Sequence, residues 1–265
     1  MDMLSRHEQR NGEAWPAPSP SPTAKPFSRV LVDADGYPYV DGEPMAQNTR
    51  QCNEIFYAGS ALKTQYAGSP DTFVASDLLM HYRQGDRRAS VAPDVFVAFG
   101  AGSHERLSYK LWEEKSLPSF VLEVLSDSST VKDMVTNRDL FAWLGIEEFW
   151  LFDPEGKTID GQLLGLRLRG GAYEPIPPLS GRAGYRSAVL NLEFRNESGN
   201  LRIRDPETGE DLKSHREAVE DLRRERESRQ AAEAQVAEAL AARQAAERRV
   251  AELEAALGRE PGLSG

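Results

Sequence analysis

The spacing of apolar and polar positions changes period several times along the chain. Over residues 49–66, apolar side chains at Ile55, Phe56, Ala61, Leu62 and Tyr66 have the spacing of an amphipathic helix. Residues 71–82 (DTFVASDLLMHY) alternate and predict a strand, with a turn at Gly85 and Asp86. Short apolar runs at 94–99 (DVFVAF), 119–126 (SFVLEVLS) and 148–152 (EFWLF) predict three more strands. Between the last two, residues 131–144 predict a helix with Thr130 as its N-cap. Beyond Asp153 and a turn at Gly156, runs at 164–169, 172–176, 188–195 and 201–205 predict paired antiparallel strands. A strand, strand, helix, strand centre with helical cover is an α/β or α+β domain.

Outside this centre the periodicity changes. Residues 1–27 are rich in Pro, Ser and Ala, show no period and are expected to be disordered. Residues 28–210 form the expected globular domain. Residues 211–258 are rich in Ala, Glu, Arg and Gln, which predicts one long helix. Val236, Ala239, Ala246, Val250, Leu253 and Leu257 recur there at alternating three- and four-residue steps, as a coiled coil needs, although Arg229 and Arg243 fall on the same line. Two outcomes are open: a solvated helical tail, or self-association through residues 211–258 as a parallel or antiparallel coil. Pro261 and its neighbouring glycines end the pattern, and 259–265 is expected to be disordered.

Composition narrows the function classes. No apolar run reaches the roughly 18 residues of a membrane span, and the start of the chain has no apolar secretory stretch, so a cytoplasmic protein is expected. One cysteine, Cys52, excludes an intramolecular disulfide, and four scattered histidines lack zinc-ligand spacing. Cys52 reads as a packed helix residue. The 265 residues carry a net charge of −10, most of it before position 214, which opposes nucleic-acid binding unless cations or a basic face compensate. No phosphate-cradling loop is present, so no nucleotide cofactor is expected, and Asp33-Ala-Asp35-Gly36 reads as a turn because the remaining ligands of a calcium loop are wrongly spaced. Trp143, Phe149, Trp150 and Phe152 sit in apolar runs without interleaved Lys or Arg and read as core.

Two carboxylates interrupt apolar strands. Asp94 follows Pro93 at the start of DVFVAF, and Glu123 sits inside FVLEVLS. An ionised carboxylate is expensive to bury without a partner. Asp94 alone can cap a turn, and Glu123 alone can face solvent. On neighbouring strands, however, the two can share a divalent cation, and hard oxygens suit magnesium or manganese. Such a cation activates water and offsets charge on a phosphate.

The stretches APDVFVAFG (92–100), FVLEVLSDSST (120–130) and LFAWLGIEEFWLFDPEGK (140–157) together resemble the Uma-two family of bacterial endonucleases, within the PD-(D/E)XK nuclease superfamily. PETGE (206–210) and the Arg/Glu/Ala-rich tail fit the same pattern, so the resemblance covers roughly residues 30–257. It implies a restriction-endonuclease-like mixed central sheet flanked by helices. It also implies a Mg2+ (or Mn2+) site on Asp94 and Glu123 with the backbone carbonyl of Val124, and DNA as partner. Asp77, on the preceding strand, is a weaker accessory acid and reads equally as a strand-face residue.

The resemblance also exposes a departure. Leu125 stands where the superfamily's Glu-x-Lys has lysine, and Asn137 stands where this family carries lysine on the following helix. Asn brings no positive charge to the site. In α-helical geometry Lys132 lies more than a turn from Asn137, and Arg138 points about 100° away. Three functions stay open: a metal-dependent DNA endonuclease, a catalytically impaired binding or scaffold module, and a structural domain whose two acids are surface residues.

Overall fold

The computed structural model describes residues 31–40, 48–114, 116–126 and 132–257. The expected segments 1–27 and 259–265 and the cap at Thr130 lie outside them. The centre is a mixed six-stranded sheet, β1 (Thr72–Ser76), β4 (Val95–Phe99), β6 (Phe120–Val124), β7 (Glu148–Phe152), β8 (Leu163–Arg169) and β9 (Ala172–Pro175), in that spatial order. β6 and β7 are parallel and every other neighbouring pair is antiparallel. Two three-stranded sheets flank it. One joins β2 (Met80–His81), β3 (Ser90–Val91) and β5 (Tyr109–Lys110); the other joins β10 (Tyr185–Arg186), β11 (Glu193–Glu197) and β12 (Asn200–Arg204).

Helices cover both faces of the central sheet, because its strands are apolar on both sides. α1 (Thr49–Gln65) starts at Asn48, whose side chain accepts the Gln51 N–H. Its buried stripe of Ile55, Ala58 and Leu62 packs with Val95, Val97, Leu122, Val124 and Trp150, and the β10–β12 sheet closes the same core through Phe194, Leu201 and Ile203. The opposite face carries Phe96, Ala98, Val121, Leu125, Phe149 and Leu151 under Phe141 and Ile146. Phe141 belongs to α2 (Arg138–Leu144), which ends at Gly145. There the backbone turns left-handed and the Gly145 and Ile146 N–H groups both donate to the Phe141 carbonyl. In β8, Gly165 lies under the Trp150 ring, where a Cβ would approach within 2.8 Å.

Four expectations are corrected. The single strand over 71–82 is two, because Asp77 takes a left-handed backbone (φ 51°) and bends the chain between β1 and β2. The predicted helix over 131–144 begins as a π helix over Lys132–Asn137 and becomes α-helical only from Arg138. Residues 188–190 form a turn and 191–192 are irregular instead of strand, held by Ser187 Oγ accepting the Leu190 N–H and by the left-handed Asn191. Trp143 is 67% exposed and not core. Phe141 faces the sheet, and two residues further along a helix is about 200° around it.

α3 (His215–Leu257) runs for about 65 Å at the usual α-helical rise. Its start is a capping box: Glu217 Oε2 accepts the Ser214 N–H, and the Glu217 N–H donates to Ser214 Oγ. Beyond this anchor the helix is solvated, with Val236, Leu240, Val250 and Leu253 all exposed. Among the described residues no helix is long and apolar enough to cross a membrane.

Candidate active site

The two acids meet where β6 outruns β4. Their antiparallel pairing extends to Val95↔Leu122, so Glu123 and Val124 project past their neighbour on that side. On the other side β6 stays paired, with Glu123 opposite Leu151 and Val124 opposite Phe152, and the Leu125 N–H donates to the Phe152 carbonyl. The N–H and C=O of one strand residue point to the same edge. Those of Val124 therefore face the β4 side, and two side chains take them. Asp94, the residue before β4, accepts the Val124 N–H on Oδ2 at 2.6 Å. Gln51, in the first turn of α1, donates from Nε2 to the Val124 carbonyl at 2.9 Å.

Strand alternation puts Asp94 on the face of Phe96 and Ala98, and Glu123 on the face of Val121 and Leu125. Both are the α2 face. Asn137, the last residue of the π helix, brings Nδ2 within 3.4 Å of Glu123 Oε1. Asp94 and Glu123 are only 9% and 4% exposed, so Glu123 does not face solvent from a one-sided strand. Asp77 adjoins the group through its backbone, donating its N–H to the Pro93 and Asp94 carbonyls, while the residue itself is exposed.

The positions around Asn137 differ from the α-helical expectation. A π helix bonds i to i+5, so backbone position 132 stacks over 137. The side chain of Lys132 lies outside the described residues. Arg138 is engaged at the surface, where Nε and Nη2 both donate to Asp139 Oδ1.

Among the described residues, no cluster of three or more His, Cys, Asp or Glu side chains could hold a metal. The donors gathered at the end of β6 are two carboxylates and two neutral oxygens. The Val124 carbonyl keeps a second lone pair beside its bond to Gln51. Gln51 Oε1 is buried without a hydrogen-bond partner. These hard oxygens are the donor chemistry that magnesium and manganese favour. Gln51 was not singled out from sequence, although it lies on the stripe of Ile55, Ala58 and Leu62. A polar residue on an apolar helical stripe is the signal that marks it.

Next to the group, Glu54 turns one helical turn away from Gln51 and accepts the Leu201 N–H at 2.8 Å. Burial pushes its carboxyl above the ordinary value, against the pull of that bond and of Arg202. Tyr57 is raised by burial in the same way, with its hydroxyl donating to the Leu212 carbonyl and accepting the Ile203 N–H. Both fasten the β11–β12 hairpin to α1.

A family model described as "Putative restriction endonuclease", Uma2, matches residues 29–196. The chain belongs to the Uma2 family. The acids, the π turn and Asn137 all fall inside the part of the chain shared with Uma2 proteins. The chain is also similar to a solved structure titled as a putative nuclease belonging to DUF820 from Anabaena variabilis ATCC 29413. The identity is 18% and the TM-score 0.39, over 53% of this chain and 79% of that one. No curated protein matches the chain.

Proposed function

We propose that this Uma2 protein is a metal-dependent DNA endonuclease whose site is Asp94 and Glu123. One observation carries this function: two buried carboxylates on one sheet face, brought together at the end of β6 beside neutral oxygens. Asp94 and Glu123 would hold magnesium or manganese, with the Val124 carbonyl as a further donor. The cation, when bound, supplies Lewis acidity that activates water and offsets charge on the scissile phosphate. Asp94 fixes the backbone of β6 through the Val124 N–H, so its second carboxylate oxygen is held in a constant orientation. Asn137 fixes Glu123 from the helix side without contributing charge. Asp77, beside Asp94, is the accessory acid of this scheme.

The absence of lysine at 137 favours a second function, a binding or scaffold module with the same fold and impaired chemistry. The two are separated by Asn137→Lys, assayed on supercoiled plasmid with magnesium. A slow but intact nuclease gains cleavage on the order of tenfold or more, since one well-placed donor to a developing oxyanion is worth roughly 10²–10³-fold. Lys132→Ala tests whether the residue one π turn earlier already supplies that charge. Cleavage falling in Lys132→Ala and recovering with Asn137→Lys places the charge there.

We infer self-association through α3 with a second copy of the chain. The seam repeats every seven residues as Leu222, Arg229, Val236, Arg243 and Val250, with Ala232, Ala239, Ala246 and Leu253 as the companion line. A parallel pair in register sets Arg229 and Arg243 against their own copies. An antiparallel pair sets the first line against the second, so each arginine lies over alanine and its stem packs while its head reaches water. Light scattering should give a dimer. Cysteine pairs placed at positions 222 and 253 in a Cys52→Ser background should cross-link between those positions. A monomer, or cross-links between identical positions, contradicts the antiparallel dimer.

A further inference from the structure

We propose that the Gln51 side-chain oxygen is the third side-chain ligand of the cation held by Asp94 and Glu123. This deepens the nuclease assignment and rests on it. Gln51 is 5% exposed and comes from α1, on the sheet face opposite to the acids. Its amide nitrogen is committed to the Val124 carbonyl at 2.9 Å. That bond fixes which end of the amide is oxygen, because the carbonyl can only accept. Oε1 is left buried with no hydrogen-bond partner. A buried unsatisfied acceptor is destabilising and rare in native proteins. A cation is one of the few species that satisfies it without a donor.

The position fits this role. Val124 presents its N–H and C=O to one edge; Asp94 occupies the first and Gln51 the second. The Asp94 carboxylate and the Gln51 amide therefore flank one residue of β6, at the point where Glu123 leaves the neighbouring residue. Gln51 is also the third residue of α1, whose backbone N–H is already capped by Asn48, so the side chain is released from capping duty. A neutral amide oxygen added to two carboxylates gives a hard-oxygen set with a charge of −2, matched to a divalent cation. It also accounts for the lack of a third acidic ligand among the described residues.

The test titrates Mn2+ into the purified full chain and follows the free-ion signal by electron paramagnetic resonance. It compares wild type, Asp94→Ala, Gln51→Met and Gln51→Glu, with thermal melts of each metal-free variant as the fold control. Gln51→Met keeps the volume and removes the oxygen. It should weaken Mn2+ binding at least tenfold, the scale on which metal-site partners act. Gln51→Glu adds charge at the same place and should tighten binding, and Mn2+ should raise its melting temperature more than that of wild type. Wild-type affinity in both Gln51 variants, with Asp94→Ala defective, overturns the role of Gln51 and leaves the two-acid site standing. No Mn2+ binding by wild type, or none lost in Asp94→Ala, overturns both. Should Gln51→Met melt too low to titrate, Gln51→Leu takes its place, and wild-type affinity in that variant contradicts the proposal.

Discussion

Two glutamates one strand apart show what separates structure from chemistry in this sheet. Glu148 opens β7 and Glu123 sits within β6, each in an apolar run and each buried. They lie on opposite faces. Glu148 takes the α1 side and is enclosed by donors: Arg167 Nη2 at 2.8 Å and Nε at 3.2 Å, the Trp150 indole N–H at 3.1 Å and the Ala188 N–H at 3.0 Å. Its charge is neutralised and its oxygens are occupied, so it ties three segments of the chain together. Glu123 takes the α2 side, faces the neutral Asn137 amide at 3.4 Å, and has another carboxylate at the same strand end. Two acids at one strand end, with hard oxygens beside them, have the donor chemistry of the proposed cation site, whereas the oxygens of Glu148 are taken up by Arg167, Trp150 and Ala188.

The contrast sets an order of expected effects. Glu148→Ala leaves a guanidinium, an indole N–H and a backbone N–H without their acceptor. It should cost about 3 kcal/mol, at the low end for a broken buried pair because Arg167 can turn to solvent. Urea denaturation measures it. Asp94→Ala strands the Val124 N–H and should cost about 1–2 kcal/mol. Glu123→Gln keeps an oxygen for the Asn137 amide and should cost less than either, no more than about 1 kcal/mol. A Glu123→Gln loss as large as that of Glu148→Ala would erase the distinction between the two residues.

Glu54 supplies the smallest effect and a check by pH. Its folded-state value is raised by burial, so the folded chain holds this proton more tightly than the unfolded chain does. The resulting stability is present below the unfolded value of about 4.5 and is lost as pH rises through the folded one. Glu54→Gln removes that loss while keeping an oxygen for the Leu201 N–H. It should stabilise the protein at pH 8 and do so less at pH 4, in parallel urea titrations. An equal gain at both values would show that burial does not act through the proton.

Much of this arrangement was legible in the sequence. The strands around Asp94, Glu123 and Glu148 are short apolar runs of the right length, and the interrupting acids marked themselves by their surroundings. Asp77 broke a strand that alternation had drawn as continuous, because a left-handed residue leaves no trace in hydrophobic period. Trp143 was misplaced because an apolar run does not say which side chains of a short helix face inward. The π turn before Asn137 was invisible for a related reason: apolar spacing over six residues cannot separate a bond to i+4 from one to i+5. Gln51 was missed because its importance lies in a bond to Val124, 73 positions away. Local pattern locates the strands that carry the acids, whereas the partners that orient them come from tertiary contact.

The most direct measurement is cleavage of supercoiled plasmid by the full chain with magnesium or manganese, comparing wild type with Asp94→Ala, Glu123→Ala and Glu148→Gln. The expected result is metal-dependent nicking that is abolished in both site variants and retained by Glu148→Gln at temperatures where it stays folded. Cleavage that survives in folded Asp94→Ala or Glu123→Ala would contradict the assignment of the site. Failure of wild type to cleave under any metal would place this chain with the impaired, binding-only function.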